Sequence, residues 1–201
     1  MITVKHLGLA GYQPTWAAMQ LFTANRTGQT PDEIWILQHP PVYTLGLNGK
    51  PEHMPQNSAI PVIKIDRGGQ ITYHGPGQIV AYLLVDLKRR GLGVRELVNR
   101  MEQSVIALLD SYGIKSENRL DAPGVYVAGK KIAALGLRIK HGCSYHGLSL
   151  NVDMDLSPFA AINPCGHVNM QVTQTKDLGI ADGIDTLNER LIAALKQNLG
   201  S

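Results

Sequence analysis

Residues 67–78 read Arg67-Gly68-Gly69-Gln70-Ile71-Thr72-Tyr73-His74-Gly75-Pro76-Gly77-Gln78, so that glycines bracket two rings, Tyr73 and His74. Glycine has no side-chain bulk, and backbone N–H groups in such a segment can therefore approach a ligand closely. Gly-Gly and Gly-Pro-Gly are also typical of the two turns of a hairpin. Because the glycines are denser than in an ordinary turn and Arg67 adds a charged donor, we expect a ligand cradle.

Apolar strands are predicted on both sides of this segment, at 62–66 and 78–86. The clearest helix is predicted at 93–112, where apolar residues recur at helical spacing and Gly113 ends the pattern. The last helix is expected to begin with a capping box, Thr186-x-x-Glu189. The other predicted elements are strands at 2–9, 33–38, 124–128, 131–139 and 145–152, and helices at 14–24 and 157–162. This irregular order predicts an α+β (mixed α/β) fold whose central sheet is packed with helices.

The composition excludes several classes of protein. The chain has 201 residues, a net charge of +3 and only 5% aromatic residues, which argues against a stacking platform for single-stranded nucleic acid or a strongly basic DNA binder. We find neither a signal peptide at the N-terminus nor an apolar run long enough for a membrane span. The two cysteines are too few for a disulfide framework, so we expect a reduced cytoplasmic protein without nucleic-acid or membrane partners.

The candidate nucleophile is Cys165, which lies in a turn between Pro164 and Gly166. An unpaired cysteine is often just a small buried residue, but a loop makes its thiol reachable. Lys131 opens an apolar strand, and taken alone its side chain is expected to extend to solvent. A partly desolvated lysine near Cys165 would instead stabilise the thiolate, the form in which a cysteine attacks.

Two other sites are considered and set aside. Residues 124–130 match the start of a phosphate-binding loop, but Lys131 stands where Ser or Thr should hold magnesium. Cys143 is interpreted as structural. A metal site is not expected, because the spacing of the candidate ligands is not that of a zinc site. These candidates are His141, Cys143, His146, Cys165 and His167.

The glycine-rich segment, residues 131–136 and Pro164-Cys165-Gly166 together resemble the lipoyl(octanoyl) transferases of lipoate biosynthesis in residues, order and spacing. The resemblance covers most of the chain and implies one catalytic domain, 1–201, with the fold of biotin and lipoate protein ligases. It also implies that Cys165 is the acylated nucleophile and Lys131 its activating partner. The implied substrate-binding residues are Arg67, Gly68, Gly69, Gln70, Ile71, Thr72, Tyr73, His74, Ala134, Leu135, Gly136, Gly147, Leu148 and Ser149.

The implied reaction moves octanoyl from octanoyl-acyl carrier protein to a lysine amine, through a thioester on Cys165. The acceptors would be lipoyl domains of 2-oxoacid dehydrogenases and the glycine cleavage H protein. No cofactor or ATP is expected, because exchange between thioesters is nearly balanced and amide formation is downhill. Such partners are typically acidic, and we expect a basic rim to steer them, formed by Lys88, Arg89, Arg90, Lys130 and Arg138.

Two alternatives stay open at this point. One is an ATP-dependent lipoate or biotin protein ligase, which would tolerate loss of Cys165. The other is a non-catalytic domain that binds an acyl group or a metal.

Overall fold

A computed structural model describes residues 2–50, 53–55, 58–162 and 171–200. Its strands are β1 (Ile2–Leu9), β2 (Asp32–Gln38), β3 (Val42–Leu45), β4 (Val62–Lys64), β5 (Ile71–His74), β6 (Gln78–Leu84), β7 (Glu117–Asn118), β8 (Gly124–Val127), β9 (Lys130–Lys140) and β10 (Cys143–Asn151). Its α-helices are α1 (Tyr12–Ala24), α2 (Leu87–Arg90), α3 (Val94–Asp110) and α4 (Ile184–Leu199), and 3₁₀ turns lie at Ser157–Ala161 and Lys176–Leu178.

Within these residues, the larger sheet has seven strands in the order β1-β2-β6-β10-β9-β8-β7. β1 and β2 are parallel, and the other neighbours are antiparallel. β9 and β10 are joined by His141 and Gly142, both at positive φ, 52° and 78°. Two positive φ angles are what a tight two-residue hairpin turn requires.

Helices α3 and α4 cover one face of this sheet. The apolar stripe predicted on α3 is buried, with Leu97, Met101 and Val105 each at 0% exposure. Burying each such side chain contributes about 1.5–3 kcal/mol, so this layer supplies much of the stability. Helix α1 lies on the opposite face, where Met19 packs with Trp35 and Tyr82. None of the helices in the described ranges is both long and apolar enough to cross a membrane.

The glycine-rich segment is part of a second, smaller sheet. β5 lies between its flanking glycines and pairs with β3, which pairs with β4 on its other side. β3 and β5 have four residues each and were not predicted, because the Pro and Gly residues that flank them are typical of turns. The segment is therefore both a strand and a set of glycine turns.

The starts of two helices differ from the predictions. α1 begins at Tyr12, two residues before Pro14, and proline fits there because first-turn N–H groups have no helical acceptor. The predicted capping box is wrong: α4 begins at Ile184 after an extended Gly183, with no side-chain cap. The carbonyl of Gly183 accepts the N–H of Leu187 at 3.1 Å, which starts the helix before Thr186 is reached.

Candidate active site

A cavity lies between the glycine-rich segment and the paired strands β9 and β10. It holds about 490 Å³ of space free of protein atoms, part of it open to solvent. The lining residues that the family resemblance implied are Arg67, Gly69, Gln70, Ile71, Thr72, His74, Ala134, Leu135, Gly136, Gly147, Leu148 and Ser149. Tyr12, Val80, Tyr82 and His146 also line it and were not predicted.

Gly68 and Tyr73 are absent from this lining set. The Gly68 N–H donates to the carbonyl of Leu137 at 2.9 Å, which fastens the glycine-rich segment to β9. The ring of Tyr73 points to the other side of β5, where it packs against Tyr43 and Phe159. This follows from the strand geometry, because neighbouring side chains on a strand face opposite ways.

Two glycines allow the strands to approach the cavity closely. A Cβ at Gly136 would lie 2.9 Å from Cδ of Arg67, and a Cβ at Gly147 would lie 2.0 Å from the carbonyl oxygen of Ala81. Neither distance is tolerable for a methyl group, so both positions require glycine in this packing.

Arg67 is a buried cross-link between the two parts of the site. Its guanidinium donates to the carbonyl and the hydroxyl of Thr44 at 2.8 and 3.0 Å, and to the carbonyl of Gly68 at 2.9 Å. These bonds hold β3 against the glycine-rich segment and place a positive charge beneath the cavity.

Lys131 does not extend to solvent. It is 3% exposed, and its Nζ donates to the carbonyl of Pro123 at 3.1 Å. The same ammonium lies 5.3 Å from the centre of the Tyr126 ring, within the range of a cation–π contact. The side chain is therefore enclosed, as an activating lysine would need to be.

A second, smaller cavity adjoins Lys131 and shares Thr72 and Ala134 with the larger one. Cys165 lies outside the described residues. The described chain on either side of it contributes Phe159 and Val172 to this smaller cavity. Val172 also forms a parallel bridge with Lys131, with the Lys131 N–H donating to Gln171 and the Thr173 N–H donating to Lys131.

A row of buried hydrogen bonds connects the larger cavity to residue 173. His74 Nδ1 bonds Gln78 Oε1 at 2.8 Å, and Gln78 Nε2 donates to Asn151 Oδ1 at 2.9 Å. Asn151 Nδ2 then donates to the carbonyl of Thr173 at 3.0 Å. The cavity wall is in this way fixed relative to the chain that follows Cys165.

Asp66 is the centre of a polar cluster that was not predicted from the sequence. It accepts hydrogen bonds from Trp16, Tyr145 and His146. Burial alone would raise the pKa of this carboxyl, but the hydrogen bonds from His146 and Tyr145 hold it well below its usual range. His146 is 1% exposed and has φ of 61°, a conformation uncommon outside glycine. A single Asp or His in a sequence gives no signal of such a cluster.

Two further histidines are buried and neutral at neutral pH. Burial lowers the pKa of His39 to about 4 and that of His74 to about 3. His39 Nδ1 bonds the carbonyl of Ala10 at 2.7 Å, so its Nε2 accepts from the hydroxyl of Tyr82 at the same distance. Of these two rings, His74 lines the cavity, so it adds no positive charge to the cavity wall at neutral pH.

The structure describes only some of the residues considered as metal ligands. Within the described ranges, His, Cys, Asp and Glu side chains nowhere gather in the groups of three or more that a metal needs. His167 and Cys165 lie outside those ranges. Cys143 is buried and unpaired, and burial raises the pKa of its thiol, which keeps it protonated.

Part of the predicted basic rim is structural. Arg89 and Arg90 bind the buried carboxylate of Asp32 at 2.6 and 2.5 Å, and Arg26 binds it at 2.5 Å. Arg89 and Arg90 therefore have a structural role, but three guanidiniums share this one carboxylate and the cluster keeps a net positive charge, so steering by Arg89 and Arg90 stays a prediction. These ion pairs could not be predicted from local spacing, because Asp32 lies 57 residues before Arg89.

Residues 11–196 match the family described as lipoyl protein ligase A/B catalytic domain. The chain belongs to this family. Full-length relatives include proteins named octanoyltransferase from Dechloromonas aromatica, 64% identical over 98% of this chain and 96% of the relative, and from Laribacter hongkongensis, 60% identical over 98% and 95%.

Solved structures share the fold of this lipoyl protein ligase A/B family member. A putative lipoate protein ligase from T. acidophilum superposes with a TM-score of 0.80 at 15% identity, covering 98% of this chain and 85% of that one. A biotin protein ligase from Aquifex aeolicus gives 0.64 at 12% identity, covering 98% and 70%. At these identities the likeness shows the fold alone, and it confirms the predicted mixed α/β fold of lipoate and biotin protein ligases.

Proposed function

We propose that this chain is an octanoyltransferase of protein lipoylation, in which Cys165 carries the acyl group as a thioester and Lys131 transfers the protons. The donor is octanoyl-acyl carrier protein. The acceptors are lysines of lipoyl domains, in 2-oxoacid dehydrogenases and in the glycine cleavage H protein. One catalytic domain, 1–201, carries the site, and its free thiol suits the reducing cytoplasm.

The observation that carries this proposal is the position of Lys131. Its buried ammonium borders a cavity that Phe159 and Val172 also line. Cys165 is three residues after Ile162 and six before Gln171 in the sequence. A lysine so placed supports the assignment of Cys165 as its partner.

The larger cavity suits an acyl chain. Its walls combine Leu135, Leu148 and Val80 with glycines that leave room between the strands. Burial of a chain contributes about 0.8 kcal/mol per methylene, so an eight-carbon group supplies several kcal/mol of binding free energy. One methylene alone changes affinity only a few-fold, and length selection therefore depends on where the cavity closes.

In the first half-reaction the Cys165 thiolate attacks the carbonyl carbon of the donor thioester. The bond from that carbon to the donor sulfur breaks as the new thioester on Cys165 forms. The departing thiolate takes a proton from the Lys131 ammonium. An ammonium next to the thiol favours the thiolate, since a free thiol of pKa about 8.5 is only a few per cent ionised at neutral pH.

In the second half-reaction the neutral amine of the acceptor lysine attacks the Cys165 thioester. The carbon–sulfur bond breaks, an amide forms, and the Cys165 thiolate is released. The Lys131 amine accepts the proton that the acceptor nitrogen loses, which restores the starting ammonium. No phosphoryl donor is needed in either half.

The decisive experiment is intact-mass analysis after incubation with octanoyl-acyl carrier protein. We expect a single octanoyl adduct, which is lost in Cys165→Ala and kept in the control variant Cys143→Ala. Turnover by Cys165→Ala would reject the thioester route. ATP-dependent transfer of free octanoate by that variant would instead favour a ligase, and adduct formation without transfer to a lipoyl domain would favour a binding protein.

A further inference from the structure

Glu102 is a buried carboxylate on α3 that the reaction above does not use. It is 4% exposed. Its Oε1 accepts the N–H of Gly124 at 2.9 Å, and its Oε2 accepts from Asn118 Nδ2 at 2.7 Å. A buried carboxylate is tolerated only when hydrogen bonds compensate for the lost hydration.

The Gly124 end of this contact leads directly to Lys131. Pro123, which precedes Gly124, provides the carbonyl that accepts from Lys131 Nζ at 3.1 Å. A Cβ at Gly124 would lie 2.7 Å from Cε of Lys131 and 3.2 Å from its Nζ. The lysine side chain therefore lies against the backbone that Glu102 holds.

Hydrogen bonds fix this backbone on both sides of the Pro123 carbonyl. On one side the hydroxyl of Tyr126 donates to the carbonyl of Ala122 at 2.7 Å. On the other side the N–H of Gly124 donates to Glu102. The acceptor for the Lys131 ammonium is thus held between two fixed peptide groups.

We propose that Glu102 is a positioning residue, which acts on catalysis by holding the Pro123–Gly124 backbone and through it the ammonium of Lys131. The proposal rests on the function proposed above, in which Lys131 gives a proton to the departing donor thiolate and accepts one from the acceptor amine. Proton transfer needs heavy atoms within hydrogen-bond reach, and a displacement of about 1 Å can cost up to 10²-fold in rate.

The test compares Glu102→Met with Glu102→Gln. Met has a similar volume but no acceptor for Gly124 or Asn118, whereas Gln keeps an oxygen for the Gly124 N–H and an amide that a rotated Asn118 can bind. We expect Glu102→Met to lower the single-turnover rate of octanoyl transfer at least tenfold, with the KM for donor within twofold. Glu102→Gln should stay within threefold of the wild-type rate.

A double-mutant cycle with Lys131→Ala separates positioning from general stability. If Glu102 acts through Lys131, adding Glu102→Met to Lys131→Ala changes the rate less than twofold. The control is Glu96→Met on the same helix, an exposed position paired with Arg100, which should keep the wild-type rate. If Glu102→Met yields no folded protein, Tyr126→Phe removes the other bond to this backbone and is judged by the same two measurements.

Three results would overturn the proposal. One is a wild-type rate in folded Glu102→Met, or in Tyr126→Phe where that variant replaces it. Another is an equal loss of rate with and without Lys131, which would make the contact purely structural. Both leave the proposed function intact. A wild-type rate in Lys131→Ala would instead reject the role of Lys131 and the positioning role together.

Discussion

Asn151 donates from its side-chain amide to the carbonyl of Thr173 at 3.0 Å, and so ties the end of β10 to the chain that follows the candidate nucleophile. The same side chain accepts from Gln78, which in turn bonds His74 in the cavity wall. Thr173 also pairs with the backbone of Lys131. Asn151 is therefore placed to keep the larger cavity, Lys131 and the chain at residue 173 in one arrangement.

Replacing Asn151 by Ala is expected to lower both stability and rate. It removes the side-chain donor of the Thr173 carbonyl and leaves the Gln78 amide only its longer bond, 3.3 Å, to the Tyr73 carbonyl. An unsatisfied buried group costs about 1–3 kcal/mol. Urea unfolding measures the first effect, and the single-turnover rate of octanoyl transfer measures the second. The exposed control Asn99→Ala should change neither. A folded Asn151→Ala variant with the wild-type rate would refute this role.

Substitution by alanine should affect donor binding at Gly136 and stability at Gly147. In Gly136→Ala the new methyl would contact Arg67 Cδ at 2.9 Å, so the Arg67 side chain would have to move, at the expense of its hydrogen bonds to Thr44 and Gly68. We expect a folded protein with a KM for the octanoyl donor raised about tenfold, measured by initial rates. Normal donor affinity would argue against an acyl-binding role for this wall.

In Gly147→Ala the new methyl would meet the backbone carbonyl of Ala81 at 2.0 Å, where only separation of β6 from β10 can relieve the contact. Overpacking of this kind costs about 3 kcal/mol, or about 10 °C in Tm for a chain of this size. Thermal unfolding measures this decrease in Tm. An unchanged Tm would show that the two strands yield more easily than their packing indicates.

The sequence predicted those elements whose pattern is long enough to repeat. The strand at Ile2–Leu9, the stripe on Val94–Asp110 and the long β9–β10 pair are of this kind. It missed β3 and β5, because the Pro and Gly residues on either side of them are typical of turns. Its capping box failed because Thr and Glu at the right spacing do not reveal that Gly183 begins the helix earlier.

For the site, the dense glycine segment was informative and isolated polar residues were not. The glycines indicated close backbone approach, and most of the substrate-binding residues that the family resemblance implied lie around one cavity. Asp66, Glu102 and His146 were missed because each is a lone polar residue whose partners lie far away in the sequence. Tertiary contacts, which local spacing does not encode, give these residues their roles.

Charge reversal should have different effects on stability at Arg90 and at Lys88, because Arg90 binds a buried carboxylate and Lys88 is exposed. Arg90→Glu would place a second carboxylate beside Asp32, and breaking such a buried pair costs about 3–5 kcal/mol. Lys88 is exposed, so Lys88→Glu should change stability by no more than about 0.5 kcal/mol. Unfolding in guanidinium chloride measures the free energy of unfolding of both variants. If steering by a basic rim operates, Lys88→Glu also lowers kcat/KM for the carrier-protein donor at low salt and not at high salt.

His39 and His74 should make the protein less stable below neutral pH. Burial holds their pKa values at about 4 and about 3, below the value of about 6.5 for an unfolded histidine. The unfolded chain then binds more protons between these values, so stability is complete above about pH 6.5 and falls as pH decreases towards 4, by about 1.4 kcal/mol per pH unit for each ring.

Urea unfolding from pH 7 to pH 4.5 should show a shallower slope of stability against pH for His39→Asn, which keeps a donor for the Ala10 carbonyl. Tyr82→Phe removes the hydroxyl bonded to His39 and should lower stability at every pH while keeping the wild-type slope. Equal slopes for His39→Asn and the wild type would mean that burial does not lower the pKa of His39 in the folded protein.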